Sequence, residues 1–309
     1  VLGRFFFRNK KNVFRTTPEK AFWAGMKRKL VGPVSVQQKI HAVVAHRKSV
    51  PEHAALDSEQ EDDAFSFLPS VVRLVSDVRV LATLCFVLSV GIYFNSLSHD
   101  FTYDDNTAVP RNPAVAGDTS LIQLWARDFW GTPTSSSLSH KSYRPVTSLM
   151  LRLLFWLGGG KPLLFHIALV LFNGLVCALA VLWVLPRWSP VTRIVAAFLY
   201  TAHPIKTEAV NGVVGMAEVL SAFFGLLAFH MFRQNQNAGN AQRGSIVAGF
   251  LCFVAGLSKE TGVMSVLIVC AYSVFSNGFS SWRKLERWTA AFSAAFLAFG
   301  GFLAVRFLA

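Results

Sequence analysis

Between residues 78 and 308 the apolar residues run in long blocks, separated by short charged connectors and one long polar stretch. A half-buried strand would alternate apolar and polar positions, and a soluble surface helix would repeat them every three or four. The blocks do neither. They are apolar on all sides, the pattern of helices that cross a bilayer. The first block, residues 79–97, reads VLATLCFVLSVGIYFNSL after Arg79 and is close to the ~20 residues a crossing needs. The second, residues 163–185, is closed by Pro186 and Pro190. Two further blocks are interrupted, residues 191–232 by HPIKTE at 203–208 and residues 244–275 by SKE at 258–260. Each reads as a helical hairpin with a charged tip. The pieces before the tips fall short of a full crossing, which predicts tilted, re-entrant or buried helices. A last block spans residues 289–308. The pattern predicts an all-α polytopic membrane protein with about seven transmembrane helices, if every segment crosses.

Residues 98–162 form a polar loop of roughly 65 residues, where a connection usually takes only a few. The short connectors carry Arg187, Arg193, Arg233, Arg243, Arg283, Lys284 and Arg287 against Glu286 alone. Basic connectors face the cytosol. Parity then places the loop at 98–162, and both tips if the hairpins span, on the opposite, luminal face. Residues 1–77 are polar, with a basic half (Arg8, Lys10, Lys11, Arg15, Lys27, Arg28, Lys29) and an acidic patch from Glu59 to Asp63. They show no sustained period and are expected to be a mostly disordered cytosolic tail. Residues 78–309 form the membrane module. The chain begins with Val1 and stops at Ala309 after an apolar run, and is expected to be a fragment of a longer protein.

Composition agrees with this reading. Hydrophobic residues make up 53% of the 309 and charged residues 15%, against roughly 25% in soluble domains. The net charge of +13 raises nucleic-acid binding as a possibility. Much of the excess lies in the first fifty residues and the connectors, however, and no zinc-finger, helix-turn-helix or RNA-binding aromatic pattern accompanies it. Cys85, Cys177, Cys252 and Cys270 all lie within apolar blocks and show neither a disulfide framework nor metal spacing. No phosphate-binding glycine loop, dinucleotide fingerprint or HExxH zinc motif is present, so soluble nucleotide chemistry has no support and no cofactor is expected; no His/Cys cluster points to a metal, although an Asp pair alone leaves one open.

Candidate chemistry sits at the charged motifs. FTYDDN, residues 101–106, holds Asp104 and Asp105 just past the first block. A carboxylate there suits a general base toward a hydroxyl, and a second beside it raises its proton affinity or orients it. A solvated Asp-Asp-Asn turn is the plain alternative. HKSYRP, residues 140–145, opens a helix at Pro145, with Arg144 and Arg152 roughly on one side, as in an amphipathic interfacial helix. His140, Lys141 and Arg144 near its N-terminus suit an anion, or equally snorkel to lipid heads. In HPIKTEAVNGVVGMAEVL, residues 203–220, helical spacing puts Glu208, Asn211, Gly215 and Glu218 on one arc. That arc is either functional or a packing stripe. Lys259 and Glu260 stand at the second tip, where an exposed ion pair is the alternative.

Taken together, YDDN, LWARDFWGTP, SHKSYRPVTSLMLRL, HPIKTEAVNGVVG and LSKETGV resemble, in order and spacing, the transmembrane and tetratricopeptide-repeat-containing O-mannosyltransferases. The likeness covers roughly residues 95–280. It implies a GT-C-type membrane module with its site in the first luminal loop, in the endoplasmic reticulum membrane with the N-terminus cytosolic. It implies dolichyl-phosphate mannose as donor and Ser/Thr of secretory-pathway proteins, notably cadherin domains, as acceptor. Carried onto this chain, Asp104 becomes the base, with Asp105 supporting or replacing it. Lys141, Arg144 and His140 become the donor-phosphate site. His203, Glu208, Glu218, Lys259 and Glu260 line the luminal cleft. The family's Gly-Arg-Ala-Asp/Glu reads Gly215-Met216-Ala217-Glu218 here, which takes the neighbouring arginine from Glu218. The resemblance implies further C-terminal spans and repeats, which this stretch, expected to be a fragment, does not include. Two other readings stay open: a transporter or channel using Glu218 as its coupling acid, and an inactive scaffold that keeps the fold.

Overall fold

The structure is a computed structural model, and it describes residues 73–277, 298–302 and 304. The chain divides into two units, Val1–Pro69 and Ser70–Ala309. All of the described residues belong to the second. Most of the predicted tail, the connector at 283–287 and most of the last apolar block lie outside them.

The described residues are helical, and their one β-type contact is an isolated bridge between Arg127 and Pro133. The first apolar block forms α1, Val78–Ile92, and then tightens into a 3₁₀ turn, Phe94–Ser98. Asp77 caps α1: its Oδ1 accepts from the backbone N–H of Arg79 at 2.8 Å and of Val80 at 3.2 Å. Three short helices, α2 (Asp104–Ala108), α3 (Pro113–Ala116) and α4 (Leu121–Leu124), lie in the long loop. The loop ends at α5, Pro145–Gly158, which has proline in its first turn, where no N–H is missed. The second apolar block is α6, Pro162–Trp183. The first interrupted block becomes α7 (Pro190–Ala202), α8 (Lys206–Asn211), a 3₁₀ turn at Val213–Gly215 and α9 (Met216–Asn237). The second becomes α10 (Ala241–Ser258), a 3₁₀ turn at Glu260–Met264 and α11 (Ser265–Asn277).

Two stretches, Pro162–Trp183 and Val213–Asn237, are long and apolar enough to cross a membrane, and the other apolar helices are shorter. Outward-facing Val87, Phe250, Leu267 and Phe275 are all more than 60% exposed, so apolar surface continues around the bundle where a water-soluble protein would be polar. Inside, one polar pair joins two of the helices: buried Asn173 of α6 donates to Ser89 Oγ of α1 at 2.8 Å.

The long apolar helices alternate in direction, which gathers like chemistry at each end. At one end Arg193, near the start of α7, donates to Ser76 O at 2.9 Å, Pro186 O at 3.1 Å and Trp188 O at 3.1 Å. Arg233, near the end of α9, donates to the carbonyl of Trp183, the last residue of α6. Arg187 reaches the Tyr272 hydroxyl of α11 at 3.3 Å. The basic connectors therefore cluster where α6, α9 and α11 end and where α1 and α7 begin. At the opposite end lie the long loop and both interruptions. There Tyr93, Val109, Phe129, Leu151, Phe165, Val213 and Met216 form one buried apolar cluster beneath the charged motifs.

Candidate functional site

The site is built on a broken helix. Spacing puts Glu208, Asn211, Gly215 and Glu218 on one arc of a continuous helix, but the chain breaks after Asn211. Gly212 is extended, with φ −95° and ψ 137°, and a 3₁₀ turn leads into α9. The break leaves N–H groups at the head of α9 without helical partners, and those donors attract an acceptor. Asp105 supplies it. Its Oδ1 accepts from Val214 N at 2.9 Å, its Oδ2 from Thr102 N at 3.4 Å, and the residue is 2% exposed. A carboxylate at the start of a long helix is also favoured by the helix dipole. Gly215 makes the tight turn possible for reasons of space: a Cβ there would lie 2.0 Å from the carbonyl oxygen of Ala209. The second interruption repeats the device, since a Cβ on Gly262 would lie 2.2 Å from Ala255 O.

Asp104 opens α2 one residue earlier and is exposed. Its carboxylate has no hydrogen bond or ion pair among the described residues. Tyr103 before it holds a left-handed backbone, φ 37°, unusual for a residue with a side chain. Asp104, Asp105, Glu208, Glu218 and Lys259 line one cleft of about 470 Å³. Four carboxylates and one ammonium thus converge from the long loop, the two sides of the first interruption and the second interruption.

Lys259 pairs with Oε1 of Glu218, while Glu218 Oε2 is buried without a partner. The missing arginine at Met216 therefore does not leave Glu218 without a cation, because the second interruption provides one. Met216 itself is fully buried in apolar surroundings. The next residue, Glu260, takes Arg144: Nε to Oε2 is 3.0 Å, and the Arg144 guanidinium sits 5.0 Å over the Phe129 ring. Beside them Thr147 Oγ1 of α5 donates to Ser258 O at 2.7 Å. Adjacent residues of one tip thus clamp α9 on one side and α5 on the other.

His140, Lys141, Arg144, His203 and Glu260 stand outside the cleft lining. The Lys141 ammonium donates to Thr134 O. The backbone N–H of His140 donates to Asp128 Oδ2 at 3.2 Å, and its ring lies 6.3 Å from that of Trp130. His203 Nδ1 accepts from Ile205 N at 3.2 Å, which shapes the turn into α8. Arg152 reaches back to Ala114 O at 3.3 Å, while Leu149, Leu153, Trp156 and Leu157 of α5 face outward. Tyr143, which donates to Trp125 O at 3.0 Å, has its hydroxyl pKa pushed up by burial.

Two residues that order the loop carry no obvious chemistry in the sequence. Buried Asn112 donates to Ala108 O at 3.1 Å and Phe129 O at 2.9 Å, and accepts from Ala114 N at 3.0 Å. An asparagine before a proline is a readable helix cap. Asp128, 1% exposed, accepts from Trp130 N, Thr132 N, Ser139 Oγ and His140 N. The last two partners lie eleven and twelve residues on, beyond any local signature. Among the described residues no three of His, Cys, Asp and Glu are grouped to hold a metal ion.

Comparison with known proteins gives a consistent set of relatives. The chain is 38% identical over 195 residues to the human protein O-mannosyl-transferase TMTC3, covering 62% of this chain and 21% of the relative. It is 34% identical over 247 residues to mouse TMTC4, covering 71% of this chain and 32% of the relative. It is 34% identical over 219 residues to Drosophila melanogaster Tmtc2, covering 69% and 23%. The chain thus spans between a fifth and a third of the length of these curated relatives. No family model matches it, and no solved structure does. Matches of this strength to three kinds of TMTC protein, across mammals and an insect, give the charged bundle end its lineage: the chain belongs to the TMTC family of protein O-mannosyl-transferases.

Proposed function

We propose that this chain is the membrane portion of an O-mannosyltransferase that moves mannose from dolichyl-phosphate mannose to Ser/Thr hydroxyls of secretory-pathway proteins, cadherin domains among them. The reading includes a GT-C-type module of about seven spans, the endoplasmic reticulum membrane and a luminal cleft. It needs no metal and no cofactor beyond the lipid-linked donor. The observation that carries it is the pairing of roles in the acidic couple. Asp105 is pinned by two backbone donors, while Asp104 projects unpartnered into a cleft that also holds Lys259.

In this reading the acceptor oxygen attacks the anomeric carbon and its proton passes to Asp104. The bond from that carbon to the phosphate oxygen breaks, and its electron pair leaves with dolichyl phosphate. A positioned base contributes about 10²- to 10⁴-fold. The leaving phosphate gains most from charged donors. Lys259 reaches the cleft directly. Arg144 and Lys141 join only by loosening Glu260 and the Thr134 carbonyl, and His140 by a movement of its loop.

The transporter reading rests on a coupling acid within a span. Here Glu218 is ion-paired in the first turn of α9, beside an interruption. The test uses the full-length protein with a co-expressed cadherin domain, reading O-mannose by mass spectrometry. Asp104→Asn, which keeps the shape and removes the base, is expected to abolish the sugar, with Glu218→Gln milder. Unchanged mannose with Asp104→Asn sinks the enzyme reading, and a reversed order of severity favours transport.

A further inference from the structure

A cleft of about 470 Å³ has the size of a small-molecule site, so a protein acceptor leaves most of its contact on the rim. Two apolar residues stand there. Tyr103, from the long loop, is 95% exposed, and Ile205, from the first interruption, is 73% exposed. An exposed tyrosine is ordinary in itself. This one sits on a backbone with φ 37° and ψ −106°, outside the regions open to residues with side chains. Such a conformation costs stability, and a fold keeps it where a site uses it. The turn is tied down on both sides: Asp105 N–H donates to Thr102 O at 2.8 Å, and Asn106 N–H to Tyr103 O at 3.2 Å.

The lining around these two residues keeps an excess of negative charge. Asp105 is held by backbone donors and Glu218 by Lys259. Asp104 and Glu208 are exposed, and neither carboxylate has a hydrogen bond or ion pair among the described residues. Glu208 stands in the first turn of α8, the helix that Ile205 caps. Open carboxylates beside an exposed aromatic ring are the chemistry that receives an organic cation. The carboxylates supply the charge, the ring face supplies a cation–π contact, and an aliphatic neighbour covers the stem of a lysine or arginine. An acidic peptide or an anionic lipid head meets repulsion at the same place.

We infer that this rim docks the acceptor polypeptide through a basic side chain next to the hydroxyl that receives the sugar. The cation pairs with Glu208 and lies against Tyr103, and its methylene stem covers Ile205. The inference rests on the proposed mannosyl transfer for the identity of the acceptor. It adds a rule of choice among acceptors: Lys or Arg beside the Ser/Thr is preferred, and Asp or Glu is rejected. Rejection is the stronger half, because an acidic neighbour meets two carboxylates that nothing neutralises.

The experiment uses the full-length protein in cells that do not themselves mannosylate the chosen cadherin domain. Two versions of that domain are co-expressed, with Lys or Asp next to the same acceptor threonine. They compete for one enzyme, so the ratio of their mannose follows the ratio of their kcat/KM. The Lys version is expected to carry at least about tenfold more. Glu208→Gln keeps the shape, leaves Asp104 in place and removes one of the two open charges. The ratio is then expected to fall about threefold, half of tenfold on a logarithmic scale. It falls because mannose drops on the Lys version and rises on the Asp version, whereas a folding defect lowers both. Equal mannose on the two versions, or a ratio that Glu208→Gln leaves unchanged, overturns the inference. Binding is read separately with the photocrosslinker p-benzoylphenylalanine in place of Tyr103, which is expected to capture the Lys version at least about tenfold better than the Asp version. Crosslinks to lipid alone also overturn it. Crosslinks that follow the charge order, with no mannose on either version, keep the docking rim and refute the enzyme reading. Mannose on both versions without a charge order does the reverse.

Discussion

Replacing Gly215 with alanine tests the architecture that holds the acidic couple. Gly215 has φ −63° and ψ −7°, values any residue adopts, so alanine costs nothing in backbone conformation. The cost is one of space. The new Cβ would lie 2.0 Å from Ala209 O and 2.6 Å from its carbonyl carbon, both backbone atoms that no rotamer change can clear. Restoring even a 3.0 Å contact moves α8 and the head of α9 apart by about 1 Å. The 2.9 Å bond from Val214 N–H to Asp105 would then lengthen beyond hydrogen-bonding range. A hydrogen bond to a charged group contributes about 1.5–3 kcal/mol, and overpacking adds about 1–3 kcal/mol of strain. The expected results are a clearly lowered melting temperature and a roughly ten- to hundredfold fall in mannose transfer. Gly91→Ala is the control, because a Cβ there meets nothing within 4 Å. It sits in α1, where alanine stabilises by up to about 1 kcal/mol. Gly215→Ala with melting and transfer both within twofold of the unsubstituted protein would refute the reasoning.

Asn112→Ala strands the carbonyls of Ala108 and Phe129 and uncaps α3. It is expected to cost about 2–4 kcal/mol, seen as faster proteolysis of residues 98–144. The Arg144–Glu260 pair, 16% and 23% exposed, lies between the surface and buried limits. A double-mutant cycle on melting should give a coupling of about 1–2 kcal/mol, and zero would place the pair among idle surface contacts. The backbone donors of Arg79 and Val80 hold the Asp77 carboxyl below its ordinary 3.8. A lowered folded value gives stability that is present above 3.8 and lost as pH falls through the folded value. Protection of the first-turn amides of α1, taken relative to their intrinsic exchange rate at each pH, should therefore fall on acidification below that point, and Asp77→Ala should show the lower protection already at neutral pH.

Much of this arrangement was legible in the chain. The apolar blocks gave α1, α6, α7, α9, α10 and α11 within a few residues, because a helix with no polar side needs no partner to declare itself. HPIKTE and SKE marked both interruptions, since charge within apolar sequence has to lie at an end or against another charge. The ion pairs were not legible. Lys259 and Glu260 look like one local pair, yet they reach 41 and 116 residues away, to Glu218 and Arg144. Local spacing also misread residues 208–218 as one helix, because the break is dictated by Asp105, more than a hundred residues earlier, accepting from Val214. The same limit hid Asp128, whose role exists only once the loop has closed on it.

The account depends most on which side of the membrane the acidic couple faces. Residues 1–309 hold no Asn-X-Ser/Thr acceptor, and an introduced site is read as a gain over the unsubstituted protein. With the full-length protein in cells, an acceptor placed in the exposed loop near Leu138 is expected to gain an endoglycosidase-sensitive glycan, and one placed at 238–240 between α9 and α10 to gain none. A glycan on the connector and none on the loop would turn the bundle over, put Asp104 in the cytosol and contradict the account.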